Sequence, residues 1–261
     1  MDKRTALVTG ASSGIGYELT KLLAADGHSL LLVARSEDRL AVVADEMSAL
    51  HGVSTHVYPA DLSLPGAAEA LIETVRRDGH AVDVLVNNAG FTSFGQFHEI
   101  DPARYADMLE LNVVALTLLT RLLLPDMISR RSGRVMNVAS TAAFQPGPLM
   151  SAYFASKAYV LSFSAGLAHE LRGTGVTVTC LCPGPTMSGF QERGVVGHSK
   201  IMQGRLLDAP RVAREGYRAM QRGRRQLVVG RWNSVLAFLP RVVPRAMAAA
   251  IVGHLQRPSH D

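Results

Sequence analysis

Seven short apolar runs, separated by stretches of helical pattern, most constrain what this chain can fold into. They read TALVTG, SLLLVAR, STHVYPAD, DVLVNNAG, GRVMNVAS, VTVTCLCPG and RQLVVG. Each is rich in Val and Leu and lacks strict polar alternation, and most end in Gly, Asn, Asp or Ser. Strands buried on both faces of a parallel sheet are written this way. Helix starts fall between them: Ser36 stands before Glu37 and Asp38, and Asp101 before Pro102, a cap residue followed by acids or by proline. Alternating β and α elements predict right-handed crossovers and a doubly wound α/β sheet of about seven parallel strands. No repeat or linker divides residues 1–261, so a single domain is expected.

Composition narrows the chemistry. Cys180 and Cys182 are the only two cysteines; one residue apart on a strand, they share a face but lack ordinary disulfide geometry. A reducing, cytoplasmic setting is the expectation. Nine histidines fall without ligand spacing, so no metal site is expected. Met1 to Arg4 are polar and lead straight into an apolar strand, which argues against a signal peptide. No run reaches the ~18 uninterrupted apolar residues of a spanning helix. The net charge of +5 is uneven: Arg193–Arg257 holds thirteen Arg/Lys against two Asp/Glu. No nucleic-acid-binding motif accompanies that charge. Within the basic quarter, residues 231–257 combine Trp232, Leu236, Phe238 and Leu239 with Arg231, Arg241, Arg245 and Arg257. Pro240 and Pro244 forbid one continuous helix. Two short amphipathic pieces are expected, packed on the sheet or a partner subunit, or making a weak peripheral contact with an anionic membrane.

Two spacings carry chemistry. The first run enters TGASSGIG, where Gly10, Gly14 and Gly16 lie between strand and helix. Glycines there permit a tight turn and let backbone N–H groups approach a pyrophosphate at the helix N-terminus. About twenty residues on, the second strand ends at Arg35, with Arg39 a turn later and no acid to hold ribose hydroxyls. Arginine at that place suits a 2′-phosphate, hence NADP. Further along, SAYFASKAYV sets Tyr153 and Lys157 four residues apart, one helical turn, so phenol and ammonium share a face. A phenol that titrates near pH 10 is ionised about once in a thousand at pH 7. Lys157 and an oxidised nicotinamide are expected to lower that value.

The order of these motifs resembles the short-chain dehydrogenases/reductases. The matching residues are TGASSGIG, Asp61-Leu62, Asn87 to Gly90, Asn112 in LNVVAL, Ser140 in NVAS, Tyr153 with Lys157, and Pro183 to Pro185. The resemblance implies a Rossmann-type fold in which Gly10, Ser12, Ser13, Gly14, Ile15 and Gly16 line the pyrophosphate and adenosine ribose. It implies that Arg35, with Ser12, Ser36 and Arg39 near it, holds a 2′-phosphate. Asp61 and Leu62 would contact adenine, with Asn88, Ala89 and Gly90 forming the wall beneath. Asn112, Ser140, Tyr153 and Lys157 would be the catalytic four, Asn112 helping to hold a water chain to Lys157. Pro183 and Gly184 would lead to the hydroxyl that meets the nicotinamide; here Ser188 stands at the family's threonine position and Thr186 two residues earlier. The implied activity is hydride transfer between NADP(H) and a ketone, aldehyde or secondary alcohol. An apolar, acyl or steroid-like substrate is expected, with Phe91, Phe94, Phe144, Met150 and Phe190 as walls. The family is usually dimeric or tetrameric. An NAD-preferring dehydrogenase of a hydroxy acid or sugar alcohol, or a non-enzymatic nucleotide-sensing module, are the alternatives.

Overall fold

The computed structural model describes residues 4–187 and 206–256. Its strands are β1 (Thr5–Thr9), β2 (Ser29–Ala34), β3 (Thr55–Pro59), β4 (Val84–Asn87), β5 (Gly133–Val138), β6 (Val176–Cys182), β7 (Thr186–Met187), β8 (Leu207–Asp208) and β9 (Gln226–Val228). Seven of them form one sheet in the order β3-β2-β1-β4-β5-β6-β9, every pair parallel. Strands β7 and β8 pair as a separate parallel ribbon. All seven apolar runs are strands of the main sheet.

The missing polar alternation has its reason in the core. Leu30 and Leu32 of β2 face one buried cluster, Leu31 and Val33 the other. Helices α1 (Gly14–Ala25) and α2 (Glu37–His51) cover the first face, joined by α7 (Ala209–Gln221). Helices α3 (Ala67–Arg77), α5 (Leu116–Ser129) and α6 (Ser151–Glu170) cover the second. A leucine fully removed from water on either face contributes about 1.5–3 kcal/mol. The expected caps are in place: Ser36 accepts from Arg39 N at 3.5 Å and Asp101 from Ala103 N at 2.9 Å.

Between α4 (Pro102–Leu109) and α5 the helix does not break but widens into a π turn, Glu110–Ala115. The whole stretch Pro102–Ser129 is long and apolar enough by composition to cross a membrane. Its Leu119, Leu123 and Met127 are instead buried in the core beneath the sheet.

The carboxyl-terminal segment divides at its prolines as expected. Helix α8 (Arg231–Phe238) runs into a 3₁₀ turn at Leu239–Arg241, and α9 (Arg245–Gln256) follows. Ala248, Val252 and Gln256, one turn apart, form the buried face of α9. Close packing seats both helices beside the sheet's carboxyl ends: a Cβ on Gly184 would lie 2.5 Å from Asn233 Nδ2, and one on Gly253 3.2 Å from Pro148.

Candidate active site

The strand order reverses between β1 and β4, and a parallel sheet opens a crevice outside the strands' carboxyl ends at such a point. A cavity of about 540 Å³ lies there, running from Gly10, Gly14 and Ile15 past Asn88, Ala89 and Gly90 to Ser140 and Tyr153. Gly10 takes a left-handed φ of +67° and donates its N–H to Val33 O at 2.8 Å, tying the glycine turn to β2. Thr9, a residue the motif reading did not single out as a site residue, fixes the opposite wall. Its hydroxyl accepts from the N–H of both Asn88 and Ala89 at 3.0 Å, while Asn88 Nδ2 donates to Thr9 O at 3.0 Å. Any side chain on Gly16 would collide with Gly10 O and Asn88, so α1 can approach this wall only as glycine. These glycines and the start of α1 form a cradle of the right kind for a dinucleotide pyrophosphate.

Arg35, Ser36, Arg39, Asp61 and Leu62 lie outside that cavity. They gather at the adjacent ends of β2 and β3, where Ala60 N donates to Ala34 O at 2.9 Å. Arg35 is exposed and only 3.9 Å from Asp61 Oδ2, a loose pair in water. The other Asp61 oxygen accepts from Ser63 N and Oγ at 3.1 and 2.6 Å. An exposed pair of this kind is worth ~1 kcal/mol or less, so little holds Arg35 back from an incoming phosphate. Leu62 is buried in the core, its side chain packed under the sheet with α3.

At the other end, Ser140, Tyr153 and Lys157 converge. The Ser140 hydroxyl caps a short 3₁₀ turn, accepting from Ala142 N at 3.1 Å, and is hydrogen-bonded to the Tyr153 phenol. Lys157 is buried, donates to Val138 O at 3.0 Å, and holds its ammonium 5.8 Å from the Tyr153 ring centre. Burial pushes the Tyr153 phenol up to about 12, with the Ser140 hydrogen bond acting the other way. Burial also brings Lys157 down to about 8, opposed by the neighbouring Cys180 and Cys182. The lowering expected from Lys157 and an oxidised nicotinamide together is not produced by the protein's residues alone. Desolvation acts on both partners, and Lys157 stands over the Tyr153 ring.

Asn112 sits inside the π turn, and both its amide hydrogens are engaged. Oδ1 accepts from Phe91 N at 3.2 Å; Nδ2 donates to Phe91 O at 2.9 Å and Ser156 Oγ at 3.2 Å. Ser156 Oγ donates in turn to Tyr153 O at 2.7 Å. With both amide hydrogens committed, Asn112 ties the chain after β4 to α6, while Oδ1 keeps a second lone pair that can accept from a water. A Cβ on Gly90 would stand 2.8 Å from Asn112 Oδ1 and 3.6 Å from Lys157 Nζ, so all three meet at one point.

Pro183, Gly184 and Thr186 line the cavity. Thr186 donates to Gly184 O at 2.8 Å. Ser188 and Phe190 lie outside the described residues. Of the expected substrate walls, Met150 lines the cavity, preceded by Leu149 at a left-handed φ of 63°. Phe91 and Phe94 do not line the cavity but pack, partly buried, against the cluster that holds Met150, Tyr153 and Phe154, and Phe144 against the cluster that holds Leu116, Ala139 and Val160. Phe154 and the carboxyl-terminal segment, including Leu236, Leu239, Ile251 and Leu255, also line the cavity. The amphipathic pattern of that segment signalled a buried face, though not the cavity it completes.

A family model described as short chain dehydrogenase matches residues 4–194. A short chain dehydrogenase of Pseudocercospora fijiensis is 41% identical over 189 residues, 71% of this chain, and the match spans 60% of that relative's length. A very-long-chain 3-oxoacyl-CoA reductase of Anas platyrhynchos is 36% identical over 184 residues, 68% of this chain and 58% of the relative. Among solved structures, a short-chain dehydrogenase from Sphingobium yanoikuyae in complex with NADPH superposes with a TM-score of 0.80 at 30% identity, covering 94% of this chain and 98% of that one.

Proposed function

The chain belongs to the short chain dehydrogenase family, and from that premise we propose that it reduces an apolar ketone or aldehyde with NADPH. One observation carries the reading: Ser140, Tyr153 and Lys157 meet at one end of a cavity whose other end is a glycine cradle and whose remaining walls are mostly apolar. The Sphingobium relative's complex with NADPH and the exposed Arg35 support the cofactor. The glycine turn and the start of α1 would hold the pyrophosphate, Arg35 the 2′-phosphate, and Thr186 the nicotinamide end. When bound, the cofactor supplies the hydride and, once oxidised, a positive charge.

The protein's own residues handle the proton. A phenol held near 12 is protonated at neutral pH, which is the form reduction requires. An alkoxide forming on the substrate oxygen is a stronger base than any phenolate, so transfer from Tyr153 runs downhill. Ser140 shares its hydroxyl between the phenol and the same oxygen. The Lys157 ammonium stabilises the tyrosinate left behind until solvent reprotonates it.

The test is NADPH oxidation, followed optically, against ketones of increasing chain length, with NADH in parallel. Turnover that rises with chain length and prefers NADPH supports the proposal. Turnover confined to short hydroxy acids or sugar alcohols with NADH replaces it with the alternative.

A further inference from the structure

The carboxyl-terminal helices that close the cavity also carry a surface the reaction does not use. Trp232, Phe238, Val242 and Met247 are 70%, 56%, 67% and 51% exposed, and none of them lines the cavity. Isolated exposed apolar residues are ordinary, but a cluster of large ones marks a contact surface. Arg231 and Arg245, both exposed, stand at the starts of α8 and α9. Between residues 216 and 260 the sequence has eight arginines and neither Asp nor Glu. Leu236 and Ile251 belong at once to this exposed surface and to the cavity wall, so patch and cavity mouth are continuous.

We propose that this face docks on the surface of an anionic lipid bilayer, the apolar side chains entering the interface and the arginines meeting the headgroups. The charge decides the occupant. A second copy of the chain, packed about a two-fold axis, would set this arginine-bearing patch against itself, and no carboxylate between 216 and 260 would answer the charge. An anionic bilayer supplies both the apolar depth and the opposing charge. Helices α8 and α9, of 8 and 12 residues, fall short of the ~20 needed to span, so the contact is peripheral. Docking rests on this surface alone. Its use, admission of an apolar substrate from the bilayer into the cavity mouth, rests on the function proposed above.

The experiment uses the full chain with phosphatidylglycerol-containing vesicles, and with phosphatidylcholine vesicles as the neutral control. Trp232 is the only tryptophan, so its emission reports the patch directly. Expected are co-sedimentation with anionic vesicles at low salt, a blue shift of Trp232 emission, and reversal of both by added salt. Neutral vesicles should give neither. Arg231→Glu with Arg245→Glu should weaken binding at least about tenfold, since each basic residue near an anionic surface strengthens partition roughly fivefold. Turnover of a water-soluble ketone should stay unchanged in that variant, because neither arginine lines the cavity. Protein that stays in the supernatant at low salt, with unshifted emission, overturns the proposal, as does equal binding to neutral vesicles. So does a concentration-dependent dimer in which Trp232 is already shielded and vesicles change nothing; a second copy then covers the face. The lipid and salt series on the unaltered chain decides the matter even if the charge-reversed variant misfolds.

Discussion

The glycine-cradle half of the cleft and the carboxyl-terminal wall that closes it are built on opposite terms. In the first, each group is placed by covalent spacing. Gly10 and Gly14 follow β1 directly, Asn88 to Gly90 follow β4, Ser140 follows β5, and Tyr153 and Lys157 are one turn apart on α6. In the second, Leu236, Leu239, Ile251 and Leu255 reach the cavity only because α8 and α9 dock on Gly184 and Pro148. The motif residues are thus placed by local spacing and the apolar wall by tertiary packing. Substitutions in the first half should stop the reaction or change the cofactor; substitutions in the second should change which ketone is taken. The largest effect is expected from Tyr153→Phe. Loss of a positioned proton donor lowers turnover by at least about a hundredfold, while the Kd for NADPH, measured by fluorescence titration, stays within about threefold because the cradle is untouched. Near-normal turnover would erase the division at its root.

Lys157 sharpens the comparison from the side of stability. Its ammonium is brought from 10.5 to about 8 by burial, so at neutral pH the folded state carries a charge it has poorly solvated. The unfolded chain binds more protons than the folded one between about pH 8 and 10.5, so stability attributable to this group rises with pH across that window. Below pH 8 the penalty is fully present, on the order of 3 kcal/mol for this shift. Lys157→Met removes it and leaves Val138 O without its donor, at a cost of about 1 kcal/mol. The variant should therefore be inactive yet more stable at pH 7 by on the order of 2 kcal/mol, a rise of about 4 °C in Tm for a chain of this size. Calorimetry at pH 7 and pH 10 tests the sign: the gain should shrink toward zero at the higher pH. A Tm lowered at pH 7 would show that the lysine is structural.

The same division explains how much could be read from the sequence. Seven apolar runs became seven parallel strands because burial on both faces leaves a one-dimensional signature. Ser36, Asp101 and the hinge at Pro240 were legible for the same local reason. The π turn was not: LNVVAL has ordinary helical composition, and the widening shows only once Asn112 bridges Phe91 and Ser156. Phe91, Phe94 and Phe144 were expected at the substrate because they adjoin the motifs, but adjacency does not say which way a ring points. Each packs, partly buried, against a neighbouring cluster and is not among the residues that line the cavity. Nor does the Tyr–Lys spacing reveal desolvation, which turns the phenol's shift upward.

Arg35 tests the far end of the cradle half. Its guanidinium is exposed and only loosely paired with Asp61, so a 2′-phosphate gains a charge-assisted hydrogen bond at little expense. Such a bond is worth about 1.5–3 kcal/mol, roughly ten- to a hundredfold. NADPH should bind tighter than NADH by at least about tenfold, and Arg35→Ala should erase most of that gap without altering the order of preferred ketones. Asp61→Asn, which removes the competing carboxylate charge, should widen it slightly. Equal dissociation constants for the two cofactors in the unaltered protein would detach the strand-end arginine from cofactor choice.

The smallest effect probes the carboxyl-terminal wall itself. Leu255 lines the cavity and is 44% exposed, so a bound apolar chain would cover roughly half its side chain. Leu255→Ala removes three carbons; at about 0.8 kcal/mol for each fully buried methylene, half coverage leaves about 1 kcal/mol, or about fivefold. That loss should fall on kcat/KM for long-chain ketones, chiefly through KM, and vanish for ketones too short to reach α9. NADPH affinity should not move, because no residue of the glycine cradle depends on Leu255 for its position. If the variant instead weakens NADPH binding and treats long and short ketones alike, the carboxyl-terminal helices support the cradle rather than the substrate, and the two halves of the cleft are one structural unit.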